Sequence, residues 1–390
     1  MARYILNETS YFGIGIRSEL ATEIKARGFK KALLVSDKVL DSCGVLKKVK
    51  DVLDGAGISY DTFLDIKQNP TIKNCKDGLA KYNESGADFL IAVGGGSVMD
   101  VAKAIGITKN NPDFADVKSL EGVAATKNKS VPIMALPTTC GTAAEVTINY
   151  VIINEEENRK MVCVDPKDIP IVAFVDAELM ASMPNSLVAA TGMDALTHSI
   201  EAYVAGLRTD ITDALAMKAI DMIVHNIEKA VKGDKEGRAK LHVAQCLAGM
   251  SFSNALLGIV HSLAHKTGAE FHITHGRCNA ILLPYVIEYN SKVCADRFAD
   301  IARMLKLSGN TDAELTAALV NKVKELNVKL GIKQTYKDNG VTEDHFKQKC
   351  DDIAKNAVAD PCTGSNPRET DIANMKKVLE AAYYGNAVNF

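Results

Sequence analysis

The sequence predicts an α/β protein. An N-terminal, doubly wound, mostly parallel sheet is followed by an all-helical domain. Three observations carry this prediction. Short β-rich apolar runs alternate with helical segments as far as about residue 176, the pattern of a parallel sheet with crossover helices. From about Pro184 onward only helical periodicity remains. Seven of the eight histidines fall between Thr191 and Gly276, inside that helical part. We therefore place a boundary near Ser182, giving domains 1–182 and 183–390, with the substrate expected in the cleft between them.

The elements follow in order. A first strand is expected over Arg3 to Phe12, leading into GIGIRSEL. That string is a weak dinucleotide fingerprint, because its last Gly is missing, and a plain strand-to-helix turn is the better reading. Lys31 to Ser36 is a buried strand by length and ends at Asp37. A strand near Ile58 to Phe63 precedes Asn69-Pro70-Thr71, a turn and helix start. The strand Phe89 to Val93 runs into Gly94-Gly95-Gly96-Ser97, and a helix opens through Val98 and Met99 to Asp100 and Lys103. Val131 to Leu136 ends in PTTCGTAAE. Val146 to Val164 reads as a hairpin around NEEENR, and a last strand, Ile171 to Val175, ends at Asp176. Helices are then expected at 185–205, 210–230, 235–256, 258–267, 276–290, 295–305, 311–330, 342–356 and 370–384.

In such a sheet ligands bind beyond the carboxyl ends of the strands. The GGGS loop opens a helix, where free N–H groups and the helix dipole favour a phosphate. Asp37 at a strand end can accept both hydroxyls of an adenosine ribose and repels a 2′-phosphate, which favours NAD over its phosphorylated form. Thr138, Thr139 and Thr142 put hydroxyls beside Gly141 on a third loop. Each cue alone is also a common turn or capping feature, and together they favour a dinucleotide.

Asp194 and His198 lie four residues apart in TGMDALTHSIEAY, and His261 and His265 repeat that spacing in GIVHSLAHKTGAEFHITHG. Residues so spaced share a helix face. A carboxylate with imidazoles suits Fe²⁺ or Zn²⁺, and a buried Asp or His without a partner is costly. Spacing alone leaves this reading level with that of ordinary solvated helix faces. His225 and His242 stand alone and read as plain helix residues.

Hydrophobic residues make up 47% of the chain and charged ones 24%, an ordinary globular composition. The net charge of −2 argues against nucleic acid or an anionic membrane surface as partner. The sequence shows no N-terminal apolar core of an export signal and no long uncharged apolar run. Nine scattered cysteines without a CxxC pair read as reduced thiols, which sets the expectation of a cytoplasmic protein.

At GGGS, PTTCGTAAEV, TGMDALTHSIEAY and GIVHSLAHKTGAEFHITHG, taken together, the chain resembles the iron-containing (group III) alcohol dehydrogenases over nearly its whole length. The resemblance implies Asp194, His198, His261 and His275 as metal ligands and His265 as the histidine near the nicotinamide. It implies Gly95, Gly96 and Ser97 as the pyrophosphate loop and Asp37 as the ribose aspartate. Further cofactor contacts implied are Asn69, Thr138, Thr139, Asn149, Lys160 and Leu179. Val151, Phe252 and Cys362 fall near the substrate pocket. The implied cofactors are NAD and Fe²⁺, with Zn²⁺ as the alternative metal. The implied substrate is a short-chain alcohol or aldehyde such as 1,2-propanediol or lactaldehyde, and the implied assembly is a homodimer with the N-terminal strand near its interface. The competing expectation is a dehydroquinate-synthase-like or glycerol-dehydrogenase-like enzyme on a related polyol or cyclic substrate. The chain departs from the family pattern at Val98 and Thr274, where proline is usual, and carries an extra imidazole in His272.

Overall fold

The computed structural model describes residues 3–157 and 159–390. Two compact units divide the chain at Met183 and Pro184.

The first unit, Tyr4–Met183, is built on a six-stranded parallel sheet. Its strands are β1 (Thr9–Gly13), β2 (Lys31–Val35), β3 (Ser59–Phe63), β4 (Phe89–Gly94), β6 (Ile133–Pro137) and β9 (Val172–Asp176), and β5 (Gly122–Val123), β7 (Asn149–Asn154) and β8 (Arg159–Val164) form a second, three-stranded sheet. The main sheet runs β1-β9-β6-β4-β2-β3. Its helices are α1 (Glu19–Arg27), α2 (Lys38–Ser42), α3 (Val45–Gly55), α4 (Ile72–Ser85) and α5 (Gly96–Asn110).

Successive residues of the central strands point to opposite faces, and both faces are covered. Leu33, Val35, Leu90 and Ala92 enter an apolar cluster with α5 and α4. Leu34, Phe89, Ile91 and Val93 enter another with α1 and α3. A parallel sheet covered on both sides reads as continuous apolar runs, which is why KALLV and FLIAV carry no alternation.

The first strand is shorter than expected, β5 adds to the expected strands, and GIGIRSEL forms the expected turn. Only Thr9–Gly13 of the first segment joins the sheet, pairing with β9 from Thr9 opposite Val172 to Gly13 opposite Asp176. Upstream, the Asn7 amide donates to Thr9 O at 2.6 Å and Ser10 Oγ at 2.9 Å, and such local bonds compete with a ladder. The two-residue β5, parallel to β8, is too short to leave a periodic signal. GIGIRSEL is a turn: Gly15 sits at φ 74 before a 3₁₀ helix, Ile16–Ser18, and its N–H donates to Asp176 Oδ1 at 2.9 Å.

The second unit is helical: α6 (Asn185–Val204), α7 (Asp210–Val231), α8 (Lys235–Ala255), α9 (Ile259–Phe271), α10 (His275–Met304), α11 (Asp312–Lys329), α12 (Glu343–Val358) and α13 (Ile372–Tyr384). The helices expected at 276–290 and 295–305 both form; they run together as α10 and are parted at a kink where Cys294 leaves helical φ/ψ. Helix α6 is buried along most of its length and packs on α7, α8 and α10.

Candidate active site

In the first unit the expected cofactor residues sit largely where strands end. β6, β4 and β2 are neighbours in the sheet, so their terminal loops stand side by side. Asp37 follows β2 and caps α2, accepting from Leu40 N at 2.9 Å. Gly95 is the N-cap of α5, with no side chain capping the helix, so the amides at this helix start suit an anion. A Cβ on Gly95 would lie 2.9 Å from Thr139 Cγ2, and one on Gly96 would lie 2.9 Å from Thr142 Cγ2. The glycines are thus imposed by the PTTCGT loop packed against them. Thr138 N donates to Gly94 O at 3.0 Å, tying the two loops together. Val98 N donates to Gly95 O at 3.1 Å, so the amide that proline would lack is satisfied. Asn69 is exposed at φ 57, a left-handed conformation that Asn tolerates.

Along β7, half-buried Asn149 and Val151 alternate with buried Tyr150 and Ile152. Lys160 on β8 pairs with Ile153, so Asn149, Val151 and Lys160 share the outer face of the hairpin. Leu179 is different: it is 1% exposed and packs in the apolar cluster with Phe174 and Val172, which leaves its side chain no surface to offer a ligand. Asp100, one turn into α5, was read only as helix. Burial raises its carboxyl to about 7, against the pull of Lys103, a hydrogen bond from the Val151 backbone and Lys160.

In the second unit Asp194 on α6, His261 on α9 and His275 at the start of α10 each bring one ligand atom to within 4.8 Å of the others. Asp194 Oδ1 is 3.6 Å from His275 Nε2 and 3.9 Å from His261 Nε2. A Cβ on Gly276 would lie 2.3 Å from Ala190 O, so only glycine lets α10 begin close enough to α6 to join His275 to Asp194. His198 is outside this trio. Its ring lies between Phe252 and His261, with centroids 4.3 Å and 4.5 Å away.

Two residues the sequence reading missed complete the cluster. Glu201 is buried on α6, and its Oε2 accepts from His261 Nδ1 at 2.5 Å while Oε1 accepts from Val260 N at 2.7 Å. This fixes the His261 proton on Nδ1 and leaves Nε2 with a lone pair, the tautomer a metal-binding imidazole needs. Burial disfavours a charged His261, but Glu201 and then Asp194 outweigh it and raise its pKa. The spacing 194, 198, 201 marks one helix face and is the signal that could have found Glu201. Asn279, one turn after His275, aims its amide nitrogen at Asp194 Oδ1 (2.5 Å), His261 Nε2 (3.1 Å) and His275 Nε2 (3.2 Å). An amide has two N–H bonds for these three acceptors. A carboxylate oxygen and two imidazole nitrogens converging on one point fit a divalent cation.

Residues 7–177 match the family description Iron-containing alcohol dehydrogenase, and residues 188–383 match Fe-containing alcohol dehydrogenase family, C-terminal. The chain belongs to the iron-containing alcohol dehydrogenase family. It is 49% identical over 98% of its length to lactaldehyde reductase of Escherichia coli (strain K12), covering 99% of that protein. It is 45% identical to the NADPH-dependent butanol dehydrogenase of Clostridium saccharobutylicum, with both chains covered in full. A crystal structure of 1,3-propanediol oxidoreductase superposes with a TM-score of 0.94 at 36% identity, covering 98% of this chain and 100% of that one. A sulfoacetaldehyde reductase of Bifidobacterium kashiwanohense in complex with NAD⁺ superposes at 0.88 with 26% identity, covering 99% and 100%. As an iron-containing alcohol dehydrogenase this protein is an alcohol/aldehyde oxidoreductase, and NAD and iron are the cofactors this kinship supports.

The remaining residues of this dehydrogenase's helical unit surround the metal cluster. His265 stacks on His275 with centroids 5.3 Å apart, and its Nδ1 lies 3.0 Å from Asp360 Oδ2. Lys266 Nζ approaches the same oxygen at 2.9 Å. Burial raises the Asp360 carboxyl, but the hydrogen bonds and charges of His265 and Lys266 win and hold it well below the usual range. Cys362 N donates to Asp360 Oδ1 at 3.1 Å. Thr274, where the family usually has proline, adopts φ −61, the angle proline would impose. His272 is exposed at φ 54 and closes α9; it is a cap and touches none of the metal donors named above.

Proposed function

We propose that the enzyme interconverts short-chain alcohols and aldehydes, 1,2-propanediol and lactaldehyde foremost, with NAD(H) and Fe²⁺, as a cytoplasmic homodimer. The observation that carries the reading is the convergence of Asp194, His261 and His275 under the control of Glu201. His198 is the expected fourth ligand, reached by a turn of a ring already stacked on His261. The metal, when bound, supplies Lewis acidity that acidifies an alcohol and polarises an aldehyde carbonyl.

The chain's own residues do the rest. Asp194 neutralises charge at the centre, Glu201 holds the His261 tautomer, and Asn279 releases its acceptors to the cation. His265 donates from Nδ1 to Asp360, which leaves Nε2 to exchange a proton with the substrate oxygen or its relay. Asp37 favours the unphosphorylated ribose. Phe252 and Cys362, both in the helical unit, supply apolar surface that favours short alcohols. The edge position of β1, with Phe12 and Ile14 exposed beside it, supports pairing with a second copy. All nine cysteines are free thiols, which supports a reducing compartment.

The test is NADH formation from 1,2-propanediol by anaerobically purified, iron-loaded protein, with NADP⁺ in parallel. The reading expects turnover with NAD⁺ and little with NADP⁺, and Asp37→Gly should narrow that gap. Equal efficiency of the native enzyme with both cofactors would overturn the role of Asp37. A monomer by light scattering at micromolar concentration would overturn the dimer. Zinc is expected to occupy the metal site and support less activity than iron; higher activity of the zinc form would overturn the choice of metal.

A further inference from the structure

A second set of donors stands beside the metal cluster and differs from it in chemistry. His265 on α9, Asp360 and Cys362 each place one potential ligand atom within 4.8 Å of the other two. Asp360 is 5% exposed, and both its carboxylate oxygens are already committed to this group. Oδ2 meets His265 Nδ1 at 3.0 Å and Oδ1 accepts from the Cys362 backbone at 3.1 Å. The carboxylate therefore fixes the residues that bear the imidazole and the thiol. Cys362 lies in a short 3₁₀ turn, Pro361–Ser365, whose N-cap is Asp360 itself.

We propose that His265, Asp360 and Cys362 form a second metal site, one that selects zinc and inhibits the enzyme without displacing iron. The primary donors are one carboxylate and imidazoles, which accept iron and zinc alike. The second set adds a thiol, and thiolate sulfur selects zinc over Fe²⁺. Zinc bonds of about 2.0–2.3 Å put tetrahedral ligand atoms roughly 3.3–3.6 Å apart. The nitrogen–oxygen edge of the site, 3.0 Å, is already near that spacing, and no edge exceeds 4.8 Å. Lys266 is the present counter-charge of Asp360 at 2.9 Å; a dication takes over that role and frees the ammonium on its flexible stem. Coordination moves two protons: the Cys362 thiol gives its own to solvent as the zinc–sulfur bond forms, and the His265 ring shifts its proton from Nδ1 to Nε2 so that Nδ1 can take the zinc; the fourth position is left to water. Nothing is oxidised or reduced.

The inhibitory part rests on the proton role given to His265 above, since a ring held on zinc through Nδ1 has its proton on Nε2 and can no longer accept one there. The binding part stands on the donors alone. Anaerobic, iron-loaded enzyme titrated with Co²⁺ tests the binding. A near-ultraviolet thiolate-to-cobalt band should grow and saturate at one added equivalent, and Cys362→Ser should lack it while keeping its iron. Metal analysis after exposure to a slight excess of Zn²⁺ should find both one iron and one zinc per chain in the native protein, and iron alone in Cys362→Ser. Absence of the cobalt band, the same band in Cys362→Ser, or zinc replacing iron one for one would each overturn the proposal. None of these readouts needs turnover, so a wrong alcohol substrate leaves them unchanged.

Discussion

Each unit of the molecule buries a charged cluster, and the two meet the same difficulty in opposite ways. In the first, Lys103 is fully buried on α5, and its ammonium donates to Thr147 O at 2.5 Å, Thr147 Oγ1 at 3.2 Å and Asn149 O at 2.9 Å. Burial lowers its pKa, while Asp168, Asp100 and Glu145 favour its charge. The chain supplies its own cation and points it at main-chain oxygens, so the helix that opens with GGGS is tied to the hairpin that carries Asn149 and Val151. In the second, Asp194, Glu201 and His261 are as deeply buried, but here ligand atoms of Asp194, His261 and His275 converge within 4.8 Å of one another. Buried charge needs a partner in either case. A cluster that carries its own cation serves the fold; one whose donors converge has the form of a cation site.

That contrast is broken most directly at His261. His261→Ala should remove most of the metal and nearly all turnover while NAD⁺ binding, which the proposed function assigns to residues of the other unit, persists. His265→Ala should keep the metal and lose rate. Metal content and cofactor binding on the two variants decide it: metal lost from His265→Ala and kept by His261→Ala would reverse the assignment.

Glu201→Gln probes the support rather than the ligand. A neutral amide can still accept from His261 Nδ1, but the ring's basicity falls, and such outer partners change metal affinity by about 10–100-fold. Competition with a chelator should show that loss, with the melting temperature of the metal-free protein little changed. Unaltered metal affinity would mean that Glu201 merely fills space.

Lys103→Met tests the other cluster. Removing one partner of a buried charged group costs about 3–5 kcal/mol, so thermal or urea unfolding should show a loss of that order. Iron content per folded molecule should not change. Loss of iron with unchanged stability would show that the two clusters do not differ in the way argued.

The fold was legible where local chemistry settles it. KALLV and FLIAV declare buried strands by length, and GGGS and PTTCGT declare loops that have to approach each other closely. β1 came out shorter than expected because Asn7 captures its neighbours before the ladder starts, and that bond cannot be seen in a pattern of apolar residues. Of the cluster Asp194, His261 and His275, the spacing picked out Asp194 and His261, while His275 came only through the family resemblance. Glu201 and Asn279 were not legible, since their meaning depends on what α9 and α10 bring to α6. The stacking of His198 between Phe252 and His261, and the burial of Leu179, are likewise decided by packing between elements that sequence spacing does not encode.

The smallest expected effect concerns Thr274. The missing proline at this position leaves the backbone before His275 freer in the unfolded chain, yet the folded residue already has φ −61 and ψ 143, both suited to proline. Its carbonyl accepts from Arg277 N and Cys278 N, contacts that proline would keep, and Ile273 before it lies outside any helix, as a residue preceding proline should. Thr274→Pro should therefore stabilise the protein by ~0.4–1 kcal/mol through the unfolded state. Because His275 follows directly, metal affinity should hold or rise by no more than about five-fold, the equivalent of 1 kcal/mol. Melting curves of the metal-free protein and chelator competition measure the two separately. A lower melting temperature together with weaker metal binding would mean that the threonine amide or hydroxyl holds His275 in place, and that this chain has found its own substitute for the proline.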